Sequence, residues 1–352
     1  MRTHWISLIA LGVSLHTVAA ESPGFEIRPV PATAKFSDPA YQIWCGSMVE
    51  GEDGKFHLFY SRWPDALGHR AWVSHSEVAH AVADKPGGPY SHVGVALPAR
   101  GDEFWDGDCT HNPTVHRFDG KYYLYYMGTH AAAETKPGVM SMPHRNNQRI
   151  GVAVADSPNG PWQRFDTPLI DVGNEDAHDA VMVSNPSVAK RPEGGYLMVY
   201  KAVAKKLPAP RYGPVVHLTA TSDSPTGPFS KQNTPVFTAE GSEFPAEDPY
   251  IWHQDDRYFA IVKDMKGHFT KAGQSLALFE SKDGFDWALS KNPLVSRLVI
   301  PWEGKEPQPV SALERPQLWL RNGKPAILFC AVAVDRKRTE TFNVAIPLLI
   351  RR

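Results

Sequence analysis

Short segments that alternate apolar and polar residues run along most of the chain, separated by turns rich in Gly, Pro and Asp. Segments of this kind predict β-strands joined by hairpins. One pattern occurs five times: a polar cluster, usually ending in Pro, then an apolar pair, a turn, and an aromatic or β-branched run. The copies begin at Cys45, His111, Ser184, Glu247 and Glu314. No segment shows a helical period with caps, so the pattern predicts an all-β chain made of repeats.

The repeats are regular in length and in content. If Ser47 stands where the later copies have Pro113, Pro186, Pro249 and Pro316, the steps are 66, 73, 63 and 67 residues. Second strands are predicted at 55–60, 121–127, 195–199, 257–262 and 324–331, and third strands at 150–155, 217–221 and 276–281. An aromatic residue then opens a fourth strand in three copies, at Trp162, Phe229 and Trp287.

Five repeats of three or four strands predict a five-bladed β-propeller, in which closure of the ring hides the sheet edges. The last repeat ends at 342–349 and lacks a fourth strand, so we expect residues 25–31 to supply it and to close the ring. Residues 21–352 then form a single domain. A β-sandwich is the alternative fold, but sandwiches do not consist of five similar units.

The first twenty residues have the features of a secretory signal peptide. Arg2 is followed by a mostly apolar run at 6–18, and Val18-Ala19-Ala20 provides small residues at a cleavage site. The run is too short for a membrane span. We therefore expect a signal peptide at 1–20 and a secreted or periplasmic protein; an uncleaved N-terminal anchor is the alternative.

Charge and cysteine content exclude several function classes. The chain has 352 residues with 37 basic against 38 acidic side chains, which argues against a nucleic-acid partner. Its three cysteines are an odd number, so at least one thiol is free or pairs between molecules. Cys-x-x-Cys pairs and phosphate-binding Gly-rich loops are missing, and no cofactor is expected. The acidic cluster at 171–179 is either a solvated loop or a calcium site.

The polar clusters begin the innermost strands, which surround the central funnel of a propeller. They contain His111 and Asn112, Ser184 and Asn185, Glu247 and Asp248, and Glu314 and Arg315. Such residues before Pro also favour ordinary turns. Because five clusters converge on one axis, we expect a shared site.

This blade pattern resembles the five-bladed glycoside hydrolases of families 43, 32 and 117. The resemblance rests on the blade count, on turns such as Ser157-Pro158-Asn159-Gly160-Pro161-Trp162, and on Glu247-Asp248-Pro249, which is similar to the Glu-Gly-Pro of family 43. It implies that Glu247 is the general acid and that hydrolysis inverts the anomeric carbon. The chain departs from that family in the first blade, where Gly46-Ser47 replaces Asp-Pro, and in the third, where Asn185 replaces an Asp.

Glycoside hydrolysis needs one protonated and one ionised carboxyl group. We expect Asp248 to raise the pKa of Glu247 by charge repulsion, and Asp108, in the loop before the second inner strand, to be the base. Glu314 is the second choice for that carboxylate, although Arg315 beside it suggests a substrate clamp or an ion pair. Asp106 fits a surface Asp-Gly turn.

Other side chains are candidates for substrate binding. His111 is either an acid, as family 117 implies, or a hydrogen-bonded channel histidine. Further candidates lie at the far ends of second strands: Arg62 with Trp63, and Lys263 with Asp264. The cationic groups there suit an anionic sugar group or an ion pair between blades. Trp44 either stacks on a sugar or fills the core, and Asn112 and Asn185 complete the set.

We therefore predict a glycoside hydrolase acting on an oligo- or polysaccharide. The alternatives are a non-catalytic carbohydrate-binding propeller, favoured by the missing first-blade Asp, and a protein-interaction propeller, since a fold alone does not determine function.

Overall fold

The computed structural model of the chain describes residues 24–351. The predicted signal peptide at 1–20 lies outside these residues. The described chain forms five antiparallel sheets, the blades of a propeller, in chain order. The strands of blade 1 are Tyr41–Glu50, Phe56–Pro64, Glu77–Ala83 and Ser91–Leu97. Those of blade 2 are Cys109–Phe118, Lys121–Thr129, Arg149–Ala155 and Gln163–Arg164. The prediction of a five-bladed propeller is confirmed.

The remaining blades repeat this order. Blade 3 consists of Met182–Lys190, Tyr196–Val203, Val215–Ser222 and Ser230–Lys231. Blade 4 consists of Ala246–Gln254, Arg257–Asp264, Ser275–Ser281 and Ala288–Arg297. Blade 5 consists of Ala312–Arg321, Lys324–Ala333 and Thr341–Arg351. A two-stranded ribbon, Val299–Ile300 with Gln308–Pro309, leads from blade 4 to blade 5.

The ring closes through the N-terminal part of the described chain. Gly24–Ile27 pairs antiparallel with Thr341–Arg351, and Lys35–Phe36 pairs with the same strand further along. The expected fourth strand of blade 5 is therefore present, although it ends at Ile27 rather than at residue 31. This N-terminal strand is the outermost strand of blade 5, so one blade is built from both ends of the described chain and the ring is closed.

Every inner strand carries a β-bulge at the same place. The bulge residues Cys45, Asn112, Asn185, Asp248 and Arg315 all have φ between 53° and 56°. An extra residue in left-handed conformation turns the strand locally and re-aims its side chains. The residue after each bulge is Gly46 in blade 1 and Pro in the others. Our alignment of Ser47 with the prolines was thus wrong by one position, because Gly46 occupies that place.

The second strands are longer than predicted, and this matters for the site. They continue to Pro64, Thr129, Val203, Asp264 and Ala333, past the predicted ends. The extra residues belong to the second strands because they pair with the polar first residues of the inner strands. The pattern of apolar residues alone does not predict this pairing. Strand two therefore ends at the funnel side, as a tight hairpin requires.

Apolar side chains fill the spaces between blades rather than the axis. The largest cluster joins blades 1, 4 and 5 and includes Tyr60, Trp252 and Phe329, all nearly inaccessible to solvent. The α-helices are short, Trp72–His75 and Met142–Asn146, and both lie in loops after second strands. Among residues 24–351 no helix combines the length and apolar character that a membrane crossing needs.

Candidate functional site at the propeller axis

The five bulge residues meet around the axis in a ring of hydrogen bonds. Cys45 Sγ donates to Asn112 Oδ1 (2.8 Å), and Asn112 Nδ2 donates to Asn185 Oδ1 (2.6 Å). Asn185 Nδ2 in turn donates to Asp248 Oδ1, and the backbone N–H of Arg315 donates to Asp248 Oδ2 (3.2 Å). The expected convergence of five polar clusters is confirmed. Since all five residues are buried and hydrogen bonds link each one to the next from Cys45 to Arg315, they form a rigid floor.

Above this floor lies a cavity of about 680 Å³. It is lined by five cations, three carboxylates, three tryptophans and several polar side chains. The predicted site residues among them are Trp44, His111, Asn112, Asn185, Glu247, Asp248, Lys263, Glu314 and Arg315. Trp63, named beside Arg62 as a further candidate, also lines it, and the residues that sequence reasoning missed are His69, Trp72, Lys201, Met265, Gln274, Ser311, Arg336 and Arg338. A polar, partly enclosed pocket of this size fits one or two sugar residues.

Glu247 lies between two lysines. Its Oε1 accepts a hydrogen bond from Lys201 Nζ (2.9 Å), and its Oε2 lies 3.5 Å from Lys263 Nζ. Burial works to raise the pKa of Glu247, but the two ammonium groups outweigh it and hold the pKa well below its usual range. Glu247 is therefore ionised at neutral pH, which contradicts its predicted role as the proton donor.

Lys201 is a functional residue that could have been found in the sequence. It pairs with Ser184 as Lys263 pairs with Glu247, each at the end of a second strand opposite the start of an inner strand. The signal was the spacing from the prolines: Lys201 follows Pro186 by 15 residues and Lys263 follows Pro249 by 14. The predicted end of the strand at residue 199 concealed it.

Glu314 is the third carboxylate of the cavity. It accepts hydrogen bonds from Lys263 Nζ (2.6 Å) and from an Arg338 guanidinium nitrogen (3.2 Å). Lys263 bridges it to Glu247, so the nearest oxygens of the two carboxylates are no more than about 6 Å apart. We therefore regard Glu314 as a residue that positions Lys263.

Asp248 has the opposite protonation tendency from Glu247. Burial and the neighbouring charge of Glu247 raise the pKa of Asp248 to about 6, although Arg315 opposes the shift. Its φ of 56° directs both Asp248 and Glu247 towards the cavity, whereas adjacent residues of a regular strand face opposite sides. The site thus holds one carboxylate that is ionised at neutral pH beside one that takes up a proton near pH 6. The predicted order of protonation was reversed, because the lysines act on Glu247 first.

His111 is held as a neutral channel histidine. Its Nδ1 is hydrogen bonded to Ser76 Oγ (2.7 Å), and its ring stacks on Trp72 at 4.8 Å. Burial, reinforced by the charge of Arg315, lowers the pKa of His111 well below its usual value. It therefore carries no proton to donate near neutral pH, and of the two predicted roles the structure supports the structural one.

The tryptophans of the cavity differ in what they can contact. Trp44 is 4% exposed, and the Arg338 guanidinium covers its ring at 4.9 Å, so it has no free face for a sugar. Trp72 is partly exposed and stacks on His111 with one face only. Trp72, which the sequence analysis did not select, is therefore the better platform for a sugar ring.

Asp108 does not line the cavity, and its predicted role as the base is not supported by its position. Its Oδ2 accepts the Ala131 N–H (2.8 Å) and lies 3.0 Å from His130 Nδ1 and 3.1 Å from His144 Nε2. These partners belong to the segment that follows the second strand of blade 2. Together with Asp102 and His130, Asp108 forms a group whose potential metal-ligand atoms lie within 4.8 Å of one another.

Arg62 is also outside the cavity. Its guanidinium pairs with Glu77 (2.8 Å) and packs over the Tyr41 ring, within blade 1. The neighbouring Trp63 lines the cavity instead, because successive side chains of a strand point to opposite faces. The position of Arg62 does not support the predicted substrate contact, and its ion pair lies within one blade rather than between two.

Asp106 is a buried ion rather than part of a surface turn. Its side chain is fully buried and is contacted by Arg100 (2.7 Å), Arg164 (3.1 Å) and the Tyr126 hydroxyl (2.8 Å).

We expect Asp106→Asn to lower the free energy of unfolding by about 3 kcal/mol, because two arginines then lose their buried counter-charge. Urea unfolding measures this, with exposed Asp156→Asn as the control. A loss below about 1 kcal/mol would contradict it.

The acidic cluster at 171–179 is engaged in ion pairs with three cations. Asp171 pairs with Arg149, Glu175 with Lys205 and Asp179 with Lys231. These contacts favour the solvated-loop interpretation over calcium binding.

The cysteines are all free and buried, as the odd count allowed, and burial raises the pKa of each thiol far above its usual value.

Several glycoside hydrolases of solved structure share this architecture. A family 117 glycoside hydrolase from the marine bacterium Zobellia galactanivorans superposes with a TM-score of 0.64 at 17% identity, over 93% of this chain and 90% of that one. The fold is that of the five-bladed glycoside hydrolases. An α-L-arabinofuranosidase from Lactobacillus brevis (TM-score 0.59, 14% identity, covering 90% and 94%) and an arabinanase from Bacillus subtilis (0.57, 14%, 90% and 96%) share it.

These likenesses confirm the expected resemblance at the level of the fold. Comparison of the sequence with protein-family profiles and with curated proteins gives no match. At identities of 14–17% the shared architecture does not transfer a substrate or a set of catalytic residues. The case for function therefore depends on the cavity itself.

Proposed function

We propose that the protein is a glycoside hydrolase whose active site is the axial cavity. The observation that carries this proposal is the pairing of two adjacent cavity carboxyl groups with opposite pKa shifts, Glu247 lowered and Asp248 raised to about 6. Two carboxyl groups whose environments push their pKa values apart are the usual acid and base of glycoside hydrolysis. The shared fold with glycoside hydrolases supports the same reaction class.

In this mechanism Asp248 donates its proton to the leaving oxygen, and ionised Glu247 removes a proton from the attacking water. Lys201 and Lys263 keep Glu247 ionised, and Glu314 with Arg338 positions Lys263. Attack by water in a single displacement inverts the anomeric carbon. Proton NMR of the first product formed tests this step: the inverted anomer is expected, and a retained anomer would make Glu247 a nucleophile.

The proposed activity is tested by reducing-sugar release from a broad panel of neutral and acidic glycans. We expect release from at least one glycan by the wild-type protein and none by a Glu247→Gln variant at the same concentration. Release that Glu247→Gln leaves unchanged would keep the reaction class and remove Glu247 from it.

A carbohydrate-binding protein without catalysis is the second candidate, and one observation favours it. Cys45 occupies the first-blade bulge, where the resembled family has an Asp, and it is a buried thiol whose pKa is raised. If no glycan of the panel is cleaved while calorimetry still detects binding of an oligosaccharide, this second function replaces the first.

We also propose that the protein is exported, on the basis of the charged and apolar segments at residues 1–20. Mass spectrometry of the protein secreted by its host would identify the new N-terminus, expected at Glu21. An intact N-terminus on the mature protein would contradict cleavage.

A further inference from the structure

A second cavity, which we call the side chamber, adjoins the axial cavity. Its volume is about 440 Å³, and it lies between the helix Met142–Asn146 and the loop at 204–214. The two cavities share Trp72, Lys201 and Glu247 in their walls. Glu247 therefore lies at the junction, with space for part of a substrate on either side.

The side chamber is lined by arginines that form no salt bridge with any residue that the structure describes. Arg70, Arg145 and Arg211 contribute to its wall, and within residues 24–351 none of them has a carboxylate inside salt-bridge distance. Arg70 and Arg211 are exposed, whereas Arg145 is partly buried and donates to Asn146 Oδ1 (2.9 Å) and to the carbonyl of Arg211 (2.8 Å).

The like charges are close enough to affect one another. Burial lowers the pKa of Arg145, and the charge of Arg211 lowers it further, while Glu247 opposes the shift. Apart from Glu247, the acid in the chamber wall is the exposed Glu243. Since the whole chain has a net charge of −1, this local excess of positive charge is not a consequence of composition.

Arginine side chains grouped in this way suit a planar or tetrahedral anion. A guanidinium group binds a carboxylate or a sulfate through two parallel hydrogen bonds, which fixes orientation as well as charge. The partly exposed Trp72 at the entrance offers a ring face for a sugar, and Met140, Met142 and Phe244 give the chamber apolar wall for its C–H groups.

We propose that the side chamber binds a sugar residue that carries a carboxylate or sulfate group, adjacent to the bond cleaved at Glu247. The substrate is then an acidic oligosaccharide of at least two residues, one in each cavity. This inference rests on the proposed hydrolase function for the position of the bond, but the binding of the anion stands independently of catalysis.

The test compares matched oligosaccharides with the wild-type protein and with Arg145→Gln/Arg211→Gln. One pair is a uronic-acid oligosaccharide and its carboxyl-reduced form, and the other is a sulfated oligosaccharide and its desulfated form. Calorimetry measures Kd and hydrolysis assays measure kcat and KM. The matched control is Arg321→Gln, an exposed arginine that packs over the Trp319 ring in the hairpin at the opposite end of blade 5.

We expect one acidic oligosaccharide to bind at least about tenfold more tightly than its neutral form, and the double variant to lose that preference. KM for the acidic substrate should rise about tenfold with kcat nearly unchanged, while Arg321→Gln changes neither value. The oligosaccharide pair that shows the preference identifies carboxylate or sulfate as the anion.

Equal binding of acidic and neutral forms, or an unchanged preference in the double variant, would overturn the side-chamber proposal. Hydrolysis of neutral glycans only would reject the side chamber and keep the hydrolase. Arginine-dependent binding of an acidic oligosaccharide without hydrolysis of any glycan would support the anion subsite and reject the hydrolase, so the two failures are distinguishable.

Discussion

Glu247→Gln is expected to reduce kcat on a cleaved glycan by about 10²–10⁴-fold, the contribution typical of a positioned acid or base. The substitution keeps the size of the side chain but removes the charge that Lys201 and Lys263 hold in place. A neutral amide cannot take a proton from water. Steady-state kinetics on the best glycan of the panel measure the loss, and KM should change much less than kcat.

Loss of the charge also removes the carboxylate that pairs with the buried Lys201, whereas Lys263 keeps Glu314 as its counter-charge, and this loss destabilises the fold. Glu247→Asp separates the two effects, because it preserves the charge but withdraws the carboxylate by one methylene. We expect Glu247→Asp to remain folded by circular dichroism and still to lose at least about tenfold in kcat. Glu193→Gln, on an exposed hairpin at the other end of blade 3, is the matched control. Full activity in folded Glu247→Asp and Glu247→Gln would exclude a catalytic role.

The fold was predictable because its signals are local and repeated. Alternating residues, turn sequences and the Pro after each polar cluster recur at each blade, so five weak signals reinforce one another. Ring closure by the N-terminal segment was predicted because the last repeat has one strand fewer than the complete repeats. The misplaced alignment at Ser47 arose because Gly46 replaces the Pro that marks the other blades, and only the φ values reveal the equivalent position.

The site was less predictable, because protonation depends on contacts between distant residues. Glu247 and Asp248 were identified from sequence, but their order of protonation depends on Lys201, which is 46 residues away from Glu247. The predicted role of Asp108 is unsupported for a related reason. The loop before an inner strand can lie over the axis or over its own blade, and Asp108 contacts His130 and His144 of blade 2. Local sequence does not determine which direction a loop takes.

The second large effect concerns Asp248 and pH. As the proton donor, Asp248 must be protonated, and burial together with the charge of Glu247 raises its pKa to about 6. Half of Asp248 is protonated at this pH, protonation is nearly complete about one unit below it, and well above it the protonated fraction falls tenfold for each pH unit. We therefore expect kcat/KM of the wild-type protein to decline above about pH 6 with a slope of −1 on a logarithmic scale, since kcat/KM reports the free enzyme.

Asp248→Asn should lose about 10²-fold or more in kcat/KM and, with it, the decline above pH 6, because the amide has no titrating proton to donate. Substrates with a good leaving group, such as aryl glycosides, need little protonation, so the variant should retain far more activity on them than on oligosaccharides. This contrast separates proton donation from a defect in the floor of the site, where Asp248 also accepts hydrogen bonds from Asn185 and Arg315. An equal loss on both substrates, or an unchanged pH profile in the variant, would assign Asp248 to the structural ring alone and leave the proton donor to be sought among the other cavity side chains.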